Sequence, residues 1–152
     1  MVGDQDGNLY GTTVYGGSDV SCMPDRLPVG CGTVFKLAPN RTLTTLYAFK
    51  NLEDGFEAEA PLYRSPRTGA LFGTTSGGGP VDCSQISSDG CGTVFMVTPD
   101  GNKQTLHAFS GPDGYGPDAP LIRGSGAQLL GTAFGGGANQ YGGVIYSLQL
   151  TE

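Results

Sequence analysis

The chain repeats itself, and that constrains its fold more than any other feature. Leu9-Tyr10-Gly11-Thr12-Thr13 returns as Leu71-Phe72-Gly73-Thr74-Thr75 and again as Leu129-Leu130-Gly131-Thr132-Ala133. Cys31-Gly32-Thr33-Val34-Phe35 returns as Cys91-Gly92-Thr93-Val94-Phe95, with a weaker third copy at Gly142-Gly143-Val144-Ile145-Tyr146. Thr45–Phe49 matches Thr105–Phe109, and Ala60–Arg64 matches Ala119–Arg123. Self-similarity at a fixed period means that each unit is one supersecondary element stacked on its neighbours. The units fall at about 1–59, 60–118 and 119–152, the last one truncated, within a single repeat domain spanning 1–152.

Every matched segment is short, rich in β-branched and aromatic residues, and bounded by Gly, Pro, Asn or Asp, which is strand punctuation. No segment holds the 3.6-residue period of a helix. Asp6-Gly7-Asn8 and Asp100-Gly101-Asn102 are hairpin signals. The expected unit is a four-stranded antiparallel meander, A to D. In the second copy, A lies at about 60–65, B at 70–76, C at 92–98 and D at 104–109. The fold class is therefore all-β and β-propeller-like: three blades, the last lacking strand D. A β-helix has much shorter coils, and a β-sandwich would not explain the strict repetition. Without Trp, the chain cannot carry a Trp-Asp signature. Leu9, Val34, Leu71, Val94, Leu121, Leu129 and Val144 hold repeated apolar sites and are expected between sheets.

Composition narrows the function. Glycine (27) and proline (10) make up about a quarter of the 152 residues, near the level of disordered chains, but the glycines recur beside apolar runs. Eight basic residues and a net charge of −6 leave no cluster that could displace counterions from nucleic acid or favour an anionic membrane. No apolar run reaches the length of a membrane span. The N-terminus has no signal-peptide pattern and reads as the inside of a repeat, so a fragment of a longer protein is expected.

The order Gly-x-Leu-Tyr-Gly-Thr-Thr, a Gly-rich loop, Gly-Thr-Val-Phe-Lys-Leu, Leu-Tyr-x-Phe and Asp-Gly resembles the GloVer-type tandem repeat of bacterial surface-anchored proteins, the choice-of-anchor group. It is carried by Gly7–Thr13, Gly32–Leu37, Leu46–Phe49 and Asp54-Gly55, and again by Gly69–Thr75, Gly92–Val97, Leu106–Phe109 and Asp113-Gly114. The resemblance implies export and propeller-like blades. It implies no activity and carries over no catalytic residue. The cysteine-bearing insertions depart from the pattern.

Those four cysteines sit at matched places. Cys22 and Cys31 span the first long B–C loop, and Cys83 and Cys91 the second. The third loop is short and has no cysteine. Insertion and cysteine pair come and go together, which argues for a disulfide within each loop. Zinc would want closer spacings and usually a His nearby. Closing such a ring contributes roughly 2.5–3 kcal/mol in the chain-entropy model, and paired disulfides favour an oxidising compartment.

Candidate chemistry is sparse. His107, the only histidine, stands at the place of Tyr47 in strand D and reads as a half-exposed strand residue. Asp4-x-Asp6-Gly7-Asn8 resembles part of a calcium loop without the distal ligands, and reads as an A–B turn. The D–A connections hold Glu53, Asp54, Glu57 and Glu59, then Asp113 and Asp118. Paired carboxylates could serve a glycosidase or bind a cation weakly, but Asp54 and Asp113 each precede a Gly at the same repeat position, as in a structural turn. Asn40-Arg41-Thr42 is a glycosylation sequon in the C–D turn.

In a four-stranded meander the B–C and D–A connections emerge at one end of the blade. That loop-rich end is the expected binding face, with Tyr15, Met23, Leu27, Val29, Phe56 and Tyr115 supplying apolar contacts. The reading is a non-catalytic extracellular or cell-surface module, without cofactor or metal, acting as a scaffold or a binding and assembly unit. The alternatives are a subunit of a surface filament or coat, and a propeller-type polysaccharide lyase or hydrolase. The expected partners are a second copy of the chain, completing a six-bladed ring or an open-ended stack, and a glycan or protein ligand.

Overall fold

The computed structural model describes residues 1–19, 21–22, 29–80, 82–138 and 142–150. The described residues form three antiparallel meanders of four, four and three strands. Blade 1 comprises β1 (Val2–Gly3), β2 (Leu9–Thr13), β3 (Thr33–Leu37) and β4 (Leu43–Ala48). Blade 2 comprises β5 (Tyr63–Arg64), β6 (Leu71–Thr75), β7 (Thr93–Val97) and β8 (Lys103–Ala108). Blade 3 comprises β9 (Ile122–Arg123), β10 (Gln128–Ala133) and β11 (Val144–Gln149). The all-β, blade-like reading holds. The A strands are shorter than expected, two residues each.

The repetition is structural down to its irregularities. Both C–D pairings shift register at the same place, between Val34 and Phe35 and between Val94 and Phe95. In each B–C ladder a glycine stands opposite an aromatic residue: Gly11 with Phe35, Gly73 with Phe95, Gly131 with Tyr146. The ring lies across the glycine, and a Cβ built on Gly73 would stand 2.6 Å from Phe95 Cζ. The C–D turns match too. Arg41 takes the left-handed backbone (φ 68°) that Gly101 takes in blade 2 (φ 89°), and the exposed sequon residue Asn40 accepts a hydrogen bond from Thr42 N at 3.0 Å.

Two cores lie between the blades. The first joins Tyr10, Val34 and Phe49 of blade 1 to Leu62, Leu71 and Phe95 of blade 2. The second joins Phe72, Val94 and Phe109 of blade 2 to Leu121 and Leu129 of blade 3, with Tyr146 packed against it. Each is centred on an edge-to-face ring pair, Phe49–Phe95 at 5.3 Å and Phe109–Tyr146 at 5.0 Å.

Alternation along a strand sends successive side chains to opposite faces, so blade 2 buries both faces while blades 1 and 3 bury one each. This corrects two expected core positions. Leu71 is fully buried against blade 1, whereas Leu9 at the same repeat position is 40% exposed, because no blade among the described residues precedes it. Val144 is only half-buried. Val34, Leu71, Val94, Leu121 and Leu129 are buried as expected.

Cys22 pairs with Cys31 and Cys83 with Cys91, each with Cα atoms 5.7 Å apart. All four are buried in the two cores. A threonine hydroxyl pair closes the neck of each stapled loop, Thr13–Thr33 at 2.9 Å and Thr75–Thr93 at 2.8 Å. The unstapled third loop has Ala133 opposite Val144 at that ladder position.

Candidate functional site

The loop end is built by D–A linkers that grip the following blade. In the first linker, Asn51 caps a 3-10 turn at Leu52–Asp54, its side chain accepting from Asp54 N at 2.8 Å. Gly55 then reverses the chain with φ 96°, and Phe56 bridges to Gly77 at the end of β6. The second linker repeats this with Gly114 and a Tyr115–Gly135 bridge. Both rings sit on a glycine that offers no side chain of its own.

That arrangement corrects the expected face. Phe56 is only 3% exposed, a plug and not a projecting contact, and Tyr115 is half-buried over Gly135. Tyr15 holds the repeat position of Gly77 and Gly135, has no linker ring above it among the described residues, and is exposed together with Val29. Met23 and Leu27 lie outside the described residues. Sequence reasoning missed Ile86 and Phe134, both exposed on these loops. Phe134 replaces Ser76 of the preceding repeat, and that substitution was its only signal.

Each linker aspartate is the hub of a hydrogen-bond set. Asp54 Oδ2 accepts from Tyr47 Oη at 2.8 Å and from Lys50 N at 3.0 Å. Its Oδ1 accepts from Lys103 Nζ at 2.7 Å, and the same ammonium donates to Asp54 O at 2.8 Å. Lys103 belongs to β8 of the next blade, so this ion pair ties blade 2 to the linker that precedes it. The Lys103 side chain is 5% exposed. Burial, then the hydrogen bond to Asp54, pushes the Tyr47 hydroxyl well above its ordinary range.

In the second linker, Asp113 Oδ2 meets His107 Nε2 at 2.8 Å, and its Oδ1 accepts from Ser110 N and Ser110 Oγ, each at 2.8 Å. Burial works to raise the Asp113 carboxyl, but the bonds from Ser110 and then His107 outweigh it and hold the group below its usual value. Ser, His and Asp are the residue types of a hydrolytic triad, yet the order is wrong for one. A triad puts the imidazole between carboxylate and hydroxyl, so that it can take the hydroxyl proton. Here Ser110 and His107 both address the carboxylate. Tyr47 and Lys50 do the same for Asp54, which marks the set as a turn-holding device used twice.

Asp4 is explained the same way. Its Oδ1 accepts from Asp6 N and Asn8 N, at 3.0 and 2.9 Å. Its Oδ2 accepts from Asn8 Nδ2 and Tyr10 Oη, both at 2.9 Å. The carboxylate organises the A–B hairpin. Among the described residues, no group of three or more His, Cys, Asp or Glu could hold a metal ion, and no helix is long and apolar enough to cross a membrane.

The model of a family described as the Gloeobacter/Verrucomicrobia repeat matches residues 1–145. No curated protein matches the chain.

Proposed function

Since the chain belongs to the Gloeobacter/Verrucomicrobia repeat family, we propose that it is a non-catalytic structural module that works outside the cell by stacking its blades onto a second copy of itself. The observation that carries this is the contrast between inner and outer blades. Val34 and Val94 are fully buried against the next blade, and their repeat equivalent Ile145 is 82% exposed. Ile122, on the same blade, and Leu9 and Leu43, on blade 1, are exposed too. The two inner interfaces set the pattern by which such faces are covered: the outer face of one blade receives the leading face of the next. Blade 3 of one copy would receive blade 1 of another. Two copies closing on a two-fold axis make six blades, inside the usual range of about four to eight. Two buried disulfides suit an oxidising exterior, and the linker aspartates are occupied in holding turns.

Light scattering coupled to size exclusion tests the assembly. A closed dimer elutes at twice the 15.6 kDa chain mass. A monomer at every concentration overturns the reading, and filaments seen by electron microscopy replace the ring with an open stack. On the loop end, Tyr15, Val29 and Phe134 offer apolar contacts for a glycan or protein ligand, to be screened on a glycan array.

A further inference from the structure

We infer that the cleft between the A–B turns of blades 1 and 2 binds a neutral carbohydrate, with Arg64 donating to its hydroxyls and Asp6 accepting from them. Both walls are hairpin turns, at the end of the blades opposite the D–A linkers. The cleft has a volume of about 410 Å³. Val2, Asp4, Gln5 and Asp6 line it from one side, Arg64 and Pro66 from the other.

Arg64 ends β5, and its half-buried guanidinium lies over the Tyr10 ring, 5.5 Å from the centre. A Cβ on Gly69 would stand 3.3 Å from its Nη2. The group is therefore packed from two sides, as stacked arginines are. Among the described residues it nevertheless makes no ion pair, and its covered Nε has no hydrogen-bond partner. Asp4 does not serve it, because both carboxylate oxygens are taken by donors of the turn and by Tyr10. Asp6 is exposed, and its carboxylate takes no part in those bonds.

The second blade interface supplies the contrast. There Phe72 replaces Tyr10 and Ser65 replaces Asp4. Arg123, the equivalent of Arg64, turns to its own hairpin and donates to Gly126 O at 3.3 Å. The repeat itself thus does not require an arginine held over a tyrosine beside two acids.

The chemistry of the walls selects the ligand. A guanidinium only donates, a carboxylate only accepts, and the Gln5 amide does both. An anion would meet two carboxylates, and a cation would meet Arg64. A sugar hydroxyl is uncharged and both donates and accepts, and two neighbouring hydroxyls match the forked guanidinium edge. Val2 and Pro66 offer apolar surface to the C–H faces of the sugar ring.

The probes are cellopentaose, maltopentaose and mannopentaose, titrated calorimetrically into the intact protein. Pentagalacturonate and the chitosan pentamer are the charged comparisons. At least one neutral sugar is expected to bind saturably at one site per chain. Arg64→Gln is expected to weaken that binding about tenfold, and Asp6→Ala about threefold. Asp6 is exposed, so its variant keeps the test open if Arg64→Gln disturbs the packing on Tyr10. Tyr15→Ala, at the loop end, is expected to leave the binding unchanged. Three results would each overturn the inference: no binding of any neutral sugar, tighter binding of a charged one, or binding indifferent to both cleft variants.

Discussion

Gly73 stands opposite Phe95 in the β6–β7 ladder, and the phenyl ring occupies the space where a side chain on residue 73 would be. A Cβ there would meet Phe95 Cζ at 2.6 Å and Leu62 Cδ2 at 2.7 Å, both packed in the blade 1–2 core. Gly73→Ala is expected to cost about 1–3 kcal/mol, the usual range for overpacking a close-packed core. Gly142→Ala is the control, since a Cβ there meets nothing within 4 Å. Denaturant melts of the two variants check this, and equal midpoints would refute the role given to Gly73.

Val94 and Ile145 share one repeat position at opposite extremes of burial. Val94→Ala removes two buried methyl groups and is expected to cost roughly 1.5–3 kcal/mol. Val94→Asp costs several kcal/mol more, because it places an unpaired charge among apolar neighbours. Ile145→Asp is expected to leave the stability of the separate chain nearly unchanged and to abolish the proposed assembly. Thermal melts at low concentration paired with light scattering separate the two effects.

Lys103 and Asp54 lie 49 positions apart in sequence and join two blades. A double-mutant cycle with Lys103→Met and Asp54→Asn is expected to give a coupling of about 1–3 kcal/mol, the range for residues in direct polar contact. Lys103→Met alone should be the milder change. It leaves Asp54 its bonds from Tyr47 and Lys50, whereas Asp54→Asn takes the counter-charge from an ammonium that is almost wholly covered. A coupling near zero would mean that the pair does not tie the blades.

Hydrogen bonds, first from the Asn8 side chain, hold the Asp4 carboxyl at about 2, down from 3.8. A carboxyl depressed on folding contributes stability above its unfolded value and loses it as pH falls through the folded one. The contribution is therefore complete above about pH 4 and fades toward pH 2. Asp4→Asn should melt lower than the parent at pH 6 and approach it at pH 2. Melting curves across that window test the sign; a difference that widens in acid would reverse it.

How much of this was legible in the chain depends on distance. The strands and the loop disulfides were readable because they rest on local patterns: apolar runs between glycines, and cysteines that come and go with an insertion. Leu9 misled because a repeat match reports what a position faces inside the stack, and says nothing about which blade stands at its end. Phe56 misled because its burial depends on Gly77, 21 positions later, having no side chain. The Lys103–Asp54 tie left no local trace, since Leu43 stands where the lysine would recur and only Asp113 repeats the aspartate. The glycine opposite each ring was visible as an isolated Gly inside a strand, a known sign of close approach.

The disulfides also set how far the chain can be drawn out under load. The two loops hold sequence separations of 9 and 8 residues between cysteines whose Cα atoms stay 5.7 Å apart. At about 3.5 Å per extended residue, the bridges withhold on the order of 50 Å of contour length between them. A molecule pulled by its ends would unfold its blades yet stop short by that amount, and a reductant would release the remainder in two steps. The two loops act as a limit on travel that survives the loss of the fold.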